Sequence, residues 1–286
     1  MRFGVRTALV AAGLLGLAAV AFSQRGGRRG GFGGGFGGFD GFGRSDAPES
    51  EFSPNAEFHF LRMEYTDYMR RGFGNVSRRG RASGWWAQDW PDADEHFTKG
   101  VQRLTRIDAG DPQHVSLTDP KLFDYPWIYA TQVGYWVLSD EETSQLREYL
   151  LRGGFIMVDD FWDQNGQQEW DVFMEAMNRA LPGQAVSDIG LDDSVMHVLY
   201  DIQAKDLMFI PGSRHLDRDG RVYQPPGTKS AWRAIYDPKN RMVVSINFDT
   251  DIGDAWEFAD VPYYPEAMTT LAYRYGINYL MYSITH

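Results

Sequence analysis

Carboxylates carry the most suggestive chemistry in this sequence. Asp249-x-Asp251-x-x-Asp254 gathers three acids in six residues, and Asp159-Asp160 adds a pair at the end of an apolar run. Clustered carboxylates offer hard oxygens to Ca²⁺ or Mg²⁺, and a pair of them can activate water, with or without a metal. Asp249, Asp251 and Asp254 are thus the candidate metal ligands. Their spacing lacks the Gly at the sixth position and the Glu at the twelfth that an EF-hand loop uses. The other reading, equally open, is that these Asp residues cap helices or close turns after strands.

Other familiar chemistries are missing. His59, His96, His114, His197, His215 and His286 are scattered without an H-x-x-x-H or H-E-x-x-H spacing, so no zinc site is indicated. His197, in an apolar stretch, reads as a core residue. The chain has no Cys, which removes disulfides, thiolate ligands, a cysteine nucleophile and lipoprotein acylation together. No G-x-S-x-G elbow, P-loop or G-x-G-x-x-G after a strand occurs.

The elements that must position the acids follow from patterning. Phe58, Phe60, Leu61, Met63 and Tyr65 suggest a first strand. A polar loop runs from Thr66 to Gln88, and a helix then opens at Pro91 and continues to about Ile107, with Asp92 as N-cap and Glu95 completing a capping box. Short strands are expected at His114 to Leu117 and Trp127 to Ala130. Ser139 and Glu142 form a second capping box, starting a helix to Arg152 that Gly153-Gly154 ends. Phe155 to Val158 is a continuous apolar run, as in a strand buried on both faces. Further elements are a helix from Gln167 to Leu181, strands at Met196 to Ile202 and Arg241 to Phe248, and a helix from Pro265 to about Tyr282. This alternation predicts an α/β fold with a mostly parallel sheet and helices on both faces. Ligands of such sheets bind beyond the carboxyl ends of the strands, where Asp159, Asp160, Asp249 and Asp251 fall.

With 43% hydrophobic and 15% aromatic residues, the chain can bury a sizeable core. Residues 45–286 hold 22 basic against 38 acidic residues, a net of −16, so the folded part does not suit nucleic acid. The N-terminus differs. Arg2 and Arg6 precede an apolar run from Ala8 to Phe22 and the small-x-small triplet Ala21-Phe22-Ser23, which reads as a signal peptide, residues 1–23, cleaved after Ser23. The alternative is an uncleaved anchor, but the run is shorter than the roughly 20 apolar residues a spanning helix needs. Residues 24–54 form a Gly/Arg-rich linker, since eleven Gly in 24–44 leave little to bury. Residues 55–286 make the domain of an exported, periplasmic or secreted protein.

Phe60-Leu61-Arg62-Met63-Glu64-Tyr65, Trp90-Pro91-Asp92, Leu122-Phe123-Asp124-Tyr125-Pro126, Leu146-Arg147-Glu148-Tyr149-Leu150, Gly153-Gly154-Phe155, Asp159-Asp160 and Asn278-Tyr279 together resemble the DUF4159 family of uncharacterised bacterial proteins. The resemblance covers nearly everything from residue 55 onward. It implies a flavodoxin-like, class I glutamine amidotransferase-like fold, and relatives of that kind often accompany MoxR-type ATPases and von Willebrand-type domains. Amidotransferases of this fold use a Cys nucleophile, so a chain without Cys cannot be a glutaminase. Arg62 and Trp90, within the resembling stretches, join Asp159, Asp160, Asp249, Asp251 and Asp254 as candidate ligand-binding residues.

Two functions fit. In the first, a non-catalytic envelope module binds a protein or glycan through exposed aromatics (Trp85, Trp86, Trp90, Trp256, Tyr263, Tyr264) and acidic strand ends. In the second, a hydrolase uses the Asp cluster, with Ca²⁺ or Mg²⁺ or as a carboxylate pair. No other cofactor is expected.

Overall fold

A computed structural model describes residues 55–68, 75–76, 82–162 and 168–286. The signal-peptide and linker expectations lie outside the described residues. In chain order the elements are β1 (Phe58–Glu64), β2 (Asn75–Val76), β3 (Ala82–Ser83), α1 (Asp92–Leu104), β4 (Ala109–Ser116), β5 (Trp127–Thr131), α2 (Asp140–Leu151) and β6 (Phe155–Phe161). They continue with α3 (Glu169–Ala180), β7 (Val186–Asp188), β8 (Ala231–Tyr236), β9 (Met242–Phe248), α4 (Ile252–Glu257) and α5 (Glu266–Thr285). Strands β2 and β3 make a small separate ladder.

Seven strands form one sheet in the order β4-β1-β5-β6-β9-β8-β7. The first five are parallel, and β8 and β7 add antiparallel to the β9 side. The fold is therefore mixed α/β with a mostly parallel sheet. Alternation along each strand divides the core. Phe60, Trp127, Tyr129, Phe155 and Met157 face α1, α4 and α5, where Phe97, Trp256 and Tyr279 meet them. Ile128, Ala130, Ile156 and Val158 face α2 and α3, against Leu146, Leu150 and Phe173. The central strands β5, β6 and β9 are buried on both faces, which explains why they read as unbroken apolar runs.

Three expectations are corrected. Asp92 is the first residue of α1 rather than its cap; Pro91 holds the cap position without a side-chain bond. The carbonyls of Asp89 and Pro91 already accept the N–H groups of Ala93 and Glu95, so no side chain is needed there. Met196 to Ile202 forms no strand. Asp193 accepts the N–H of Val195, starting a 3₁₀ turn at Ser194–Met196. The Asn278 amide of α5 then takes both the N–H and the carbonyl of Tyr200, at 2.8 Å each, leaving neither for a ladder. His197 is consequently exposed, paired with Asp201 and the Leu191 carbonyl rather than held in the core.

Among the described residues no helix is long and apolar enough to cross a membrane.

Candidate functional site

The carboxyl ends of β5, β6 and β9 are where the acids meet. Strand β6 ends in Asp159, Asp160 and Phe161, and the chain leaving β9 passes Asp249 and Asp251 before α4 starts. The loop ahead of α1 delivers a further acid, Asp89, to the same place. Asp89, Asp160 and Asp249 all adopt left-handed backbone, with φ of 62°, 50° and 57°. Asp tolerates that region better than most residues. Non-glycine residues held there cluster where a fold aims side chains at a site.

One oxygen each from Asp89, Asp251 and Asp254 lie within 4.8 Å of one another, a spacing that a metal ion can bridge. Asp251 caps α4, its Oδ1 accepting the N–H of Asp254 at 2.8 Å, and Asp254 Oδ2 accepts the N–H of Ser213 at 2.5 Å. Asp89 Oδ1 accepts from Gln88 Nε2 at 2.7 Å, whereas its buried Oδ2 has no hydrogen-bond partner. Two glycines permit this crowding. A Cβ at Gly212 would stand 2.5 Å from Asp251 Oδ2 and 3.3 Å from Asp254 Oδ2. At Gly253 it would stand 2.8 Å from the Tyr129 hydroxyl and 3.0 Å from Asp89 Oδ2.

Asp159 lies beside this trio, fully buried. Its Oδ2 accepts the Tyr129 hydroxyl and the Gly253 N–H, both at 2.9 Å, while Oδ1 has no partner. Thr131, its register partner on β5, also has a buried hydroxyl without a partner. Asp160 is held differently: Gln132 Nε2 donates to one oxygen, Trp162 Nε1 donates to the other at 2.5 Å, and Arg214 approaches to 3.8 Å. The Arg214 guanidinium itself lies 4.7 Å over the Trp162 ring.

Burial dominates the electrostatics. It pushes the Asp159 carboxyl up to about 7 against the bonds from Gly253 and Tyr129. It pushes Asp160 up to about 8, opposed by Arg214 and reinforced by Asp254. Asp89 and Asp251 are also raised well above the usual carboxylate range, by burial first and by neighbouring acids second. His215, buried next to Arg214, is lowered to about 4 and so adds no charge at neutral pH. Buried like charges of this density call for a compact cation or for protons.

The remaining candidates take other roles. Asp249 turns aside: its Oδ2 accepts the N–H of Lys229 at 2.9 Å and its carbonyl accepts the Ser230 hydroxyl at 3.1 Å. Asp89, not Asp249, completes the trio with Asp251 and Asp254. Arg62 is fully buried and paired with Asp94. Trp90 is half-buried, its ring edge-on to His114 at 5.3 Å. Of the aromatics expected at the surface, Trp256 and Tyr264 belong to the core, Trp85 stacks on Tyr135 at 4.4 Å, Trp86 packs on His114, and Tyr263 is exposed. Sequence patterning had no means of finding Asp89, because it follows a loop without periodicity.

Comparison with curated proteins gives no match. Residues 73–284 match the family described as "Domain of unknown function (DUF4159)", a span that takes in the acidic trio, α1 and every strand of the sheet after β1. That match covers most of the chain, and the protein belongs to the DUF4159 family.

Proposed function

We propose that this DUF4159 domain is an exported, non-catalytic binding module of the cell envelope that holds a divalent cation, Ca²⁺ or Mg²⁺, between Asp89, Asp251 and Asp254. The observation that carries the proposal is the approach of the three carboxylate oxygens to within 4.8 Å, with the buried Asp89 Oδ2 unpartnered. A buried carboxylate oxygen without a partner is costly, and a hard cation can satisfy it while offsetting the charge of its neighbours. The five parallel strands run in the order 2-1-3-4-5 of their own sequence, which favours the flavodoxin-type, class I glutamine amidotransferase-like reading. In that fold type the carboxyl edge is the ligand-binding edge. The absence of Cys favours binding over amidotransferase chemistry. An envelope protein or glycan is the partner this reading points to, with a MoxR/von Willebrand-type system as its setting by family resemblance.

Isothermal titration with Ca²⁺ and Mg²⁺ tests the cation. We expect saturable uptake by the wild type and its loss in Asp89→Asn with Asp251→Asn; no uptake, or uptake that survives both substitutions, rejects it. Intact mass of protein recovered from the envelope tests export, a chain starting at Gln24 being expected, and retention of residues 1–23 pointing to an anchor instead.

The second reading, a hydrolase, draws on Asp159 and Asp160, whose carboxyls stand at about 7 and about 8 and so suit proton transfer near neutrality. Turnover of ester, glycoside or phosphoester substrates that Asp160→Asn abolishes would establish it.

A further inference from the structure

We infer that Arg62 is a positioning residue for the cation site, fixing Asp89 through the backbone that carries it; the inference rests on the cation reading above. Arg62 lies in β1 with no exposed surface, so it cannot meet a ligand arriving from solvent. Its guanidinium faces Asp94 of α1 with two nitrogens: Nε donates to Oδ1 at 3.1 Å and Nη2 to Oδ2. The third nitrogen is turned elsewhere. Nη1 donates to the carbonyl of Gln88 at 2.8 Å and lies 3.4 Å from that of Trp86.

Those carbonyls belong to the short turn that ends at Asp89, where the backbone enters its left-handed conformation. An ion pair alone would need only Asp94. The extra contact ties the interior charge to the segment that aims Asp89, and the fork geometry needed to serve both directions is particular to arginine. A second arm runs through the ring of Tyr129, 4.7 Å beneath the guanidinium, whose hydroxyl holds Asp159 Oδ2. One buried cation thus braces both walls of the acidic site without touching it.

Arg62→Lys separates positioning from simple support, because it keeps a positive charge opposite Asp94 and gives up the fork. The full chain is titrated calorimetrically with Ca²⁺, and amide exchange is followed at Gln88 and Trp90, whose N–H groups donate to the Trp85 and Ala87 carbonyls. In the metal-free wild type these amides should already be protected. In Arg62→Lys they should exchange faster, and Ca²⁺ should bind about tenfold more weakly. Equal affinity in Arg62→Lys and wild type overturns the inference. So does rapid exchange at Gln88 and Trp90 in the metal-free wild type, a measurement that stands even if the variant does not fold. Wild type that takes up neither Ca²⁺ nor Mg²⁺ overturns the cation reading itself, and Arg62's role with it.

Discussion

Tyr129 and Asp159, on adjacent parallel strands, are joined by a 2.9 Å hydrogen bond from the phenol to Oδ2, and the N–H of Gly253 reaches the same oxygen from α4. Sheet and helix are therefore sewn together through one buried carboxylate. The bond from Tyr129 favours the ionised acid, which burial disfavours.

Tyr129→Phe should therefore lower the unfolding free energy by about 1 kcal/mol. The loss should be larger at pH 9, where Asp159 is ionised, than at pH 5. Urea denaturation at the two pH values reads it, and an equal loss at both would show that the phenol does not act through the charge of Asp159.

Ser139→Ala tests the cap of α2, an element that contributes none of the acidic trio. Ser139 Oγ accepts the N–H of Glu142 at 3.1 Å while Glu142 Oε2 accepts the N–H of Ser139 at 2.7 Å. Removing the hydroxyl should cost about 1 kcal/mol of stability. Cation affinity by calorimetry should stay unchanged, and a parallel loss of affinity would mean that α2 and the acidic edge are coupled.

That capping box was legible in the sequence because it depends on two residues three apart. The runs of β6 and β9 were legible for a similar reason, since a strand buried on both faces needs no alternation. From them followed the placement of Asp159, Asp160 and Asp251 at one edge of the sheet. Asp89 was not legible, because its place depends on carbonyls held by Arg62 from another element. Nor was the turning aside of Asp249, which depends on the N–H of Lys229, twenty residues away. Strand β8 escaped because pairing with β9, rather than a run of its own, defines it.

Acidity should weaken cation binding and should also steady the cation-free protein. Carboxyls raised by burial, with Asp159 at about 7 and Asp160 at about 8, hold protons in the native state that the unfolded chain releases near its ordinary carboxylate value. Their contribution is fully present below that value and is lost as pH rises through the raised ones. The metal-free protein should thus become less stable between about pH 4 and pH 8 on account of these groups. Asp89 and Asp251, two of the three ligands, are raised by burial in the same direction, and a cation competes with the protons they hold. The rise in melting temperature with millimolar Ca²⁺ should accordingly be larger at pH 8 than at pH 5, and thermal scans at the two pH values that show no difference would contradict the assignment.

Gly212→Ala puts the crowding of the site to a direct test. The added Cβ would stand 2.5 Å from Asp251 Oδ2, closer than a carbon and an oxygen can pack, and 3.3 Å from Asp254 Oδ2. Its backbone is extended rather than left-handed, with φ −68° and ψ 158°, which alanine adopts freely. The substitution therefore acts through the carboxylates, and not through the turn. Asp251 Oδ2 must swing away or the turn must back off, and either should disturb the grouping of Asp251 with Asp89 and Asp254. Cation binding should fall by about tenfold or more, equivalent to about 1.4 kcal/mol. Asp251 would keep its other oxygen on the N–H of Asp254, so the metal-free fold should lose less than the site does. Calorimetry and metal-free melting on the same preparation separate the two: unchanged affinity would show that Asp251 Oδ2 is not a ligand, leaving its Oδ1 to cap α4 and nothing more.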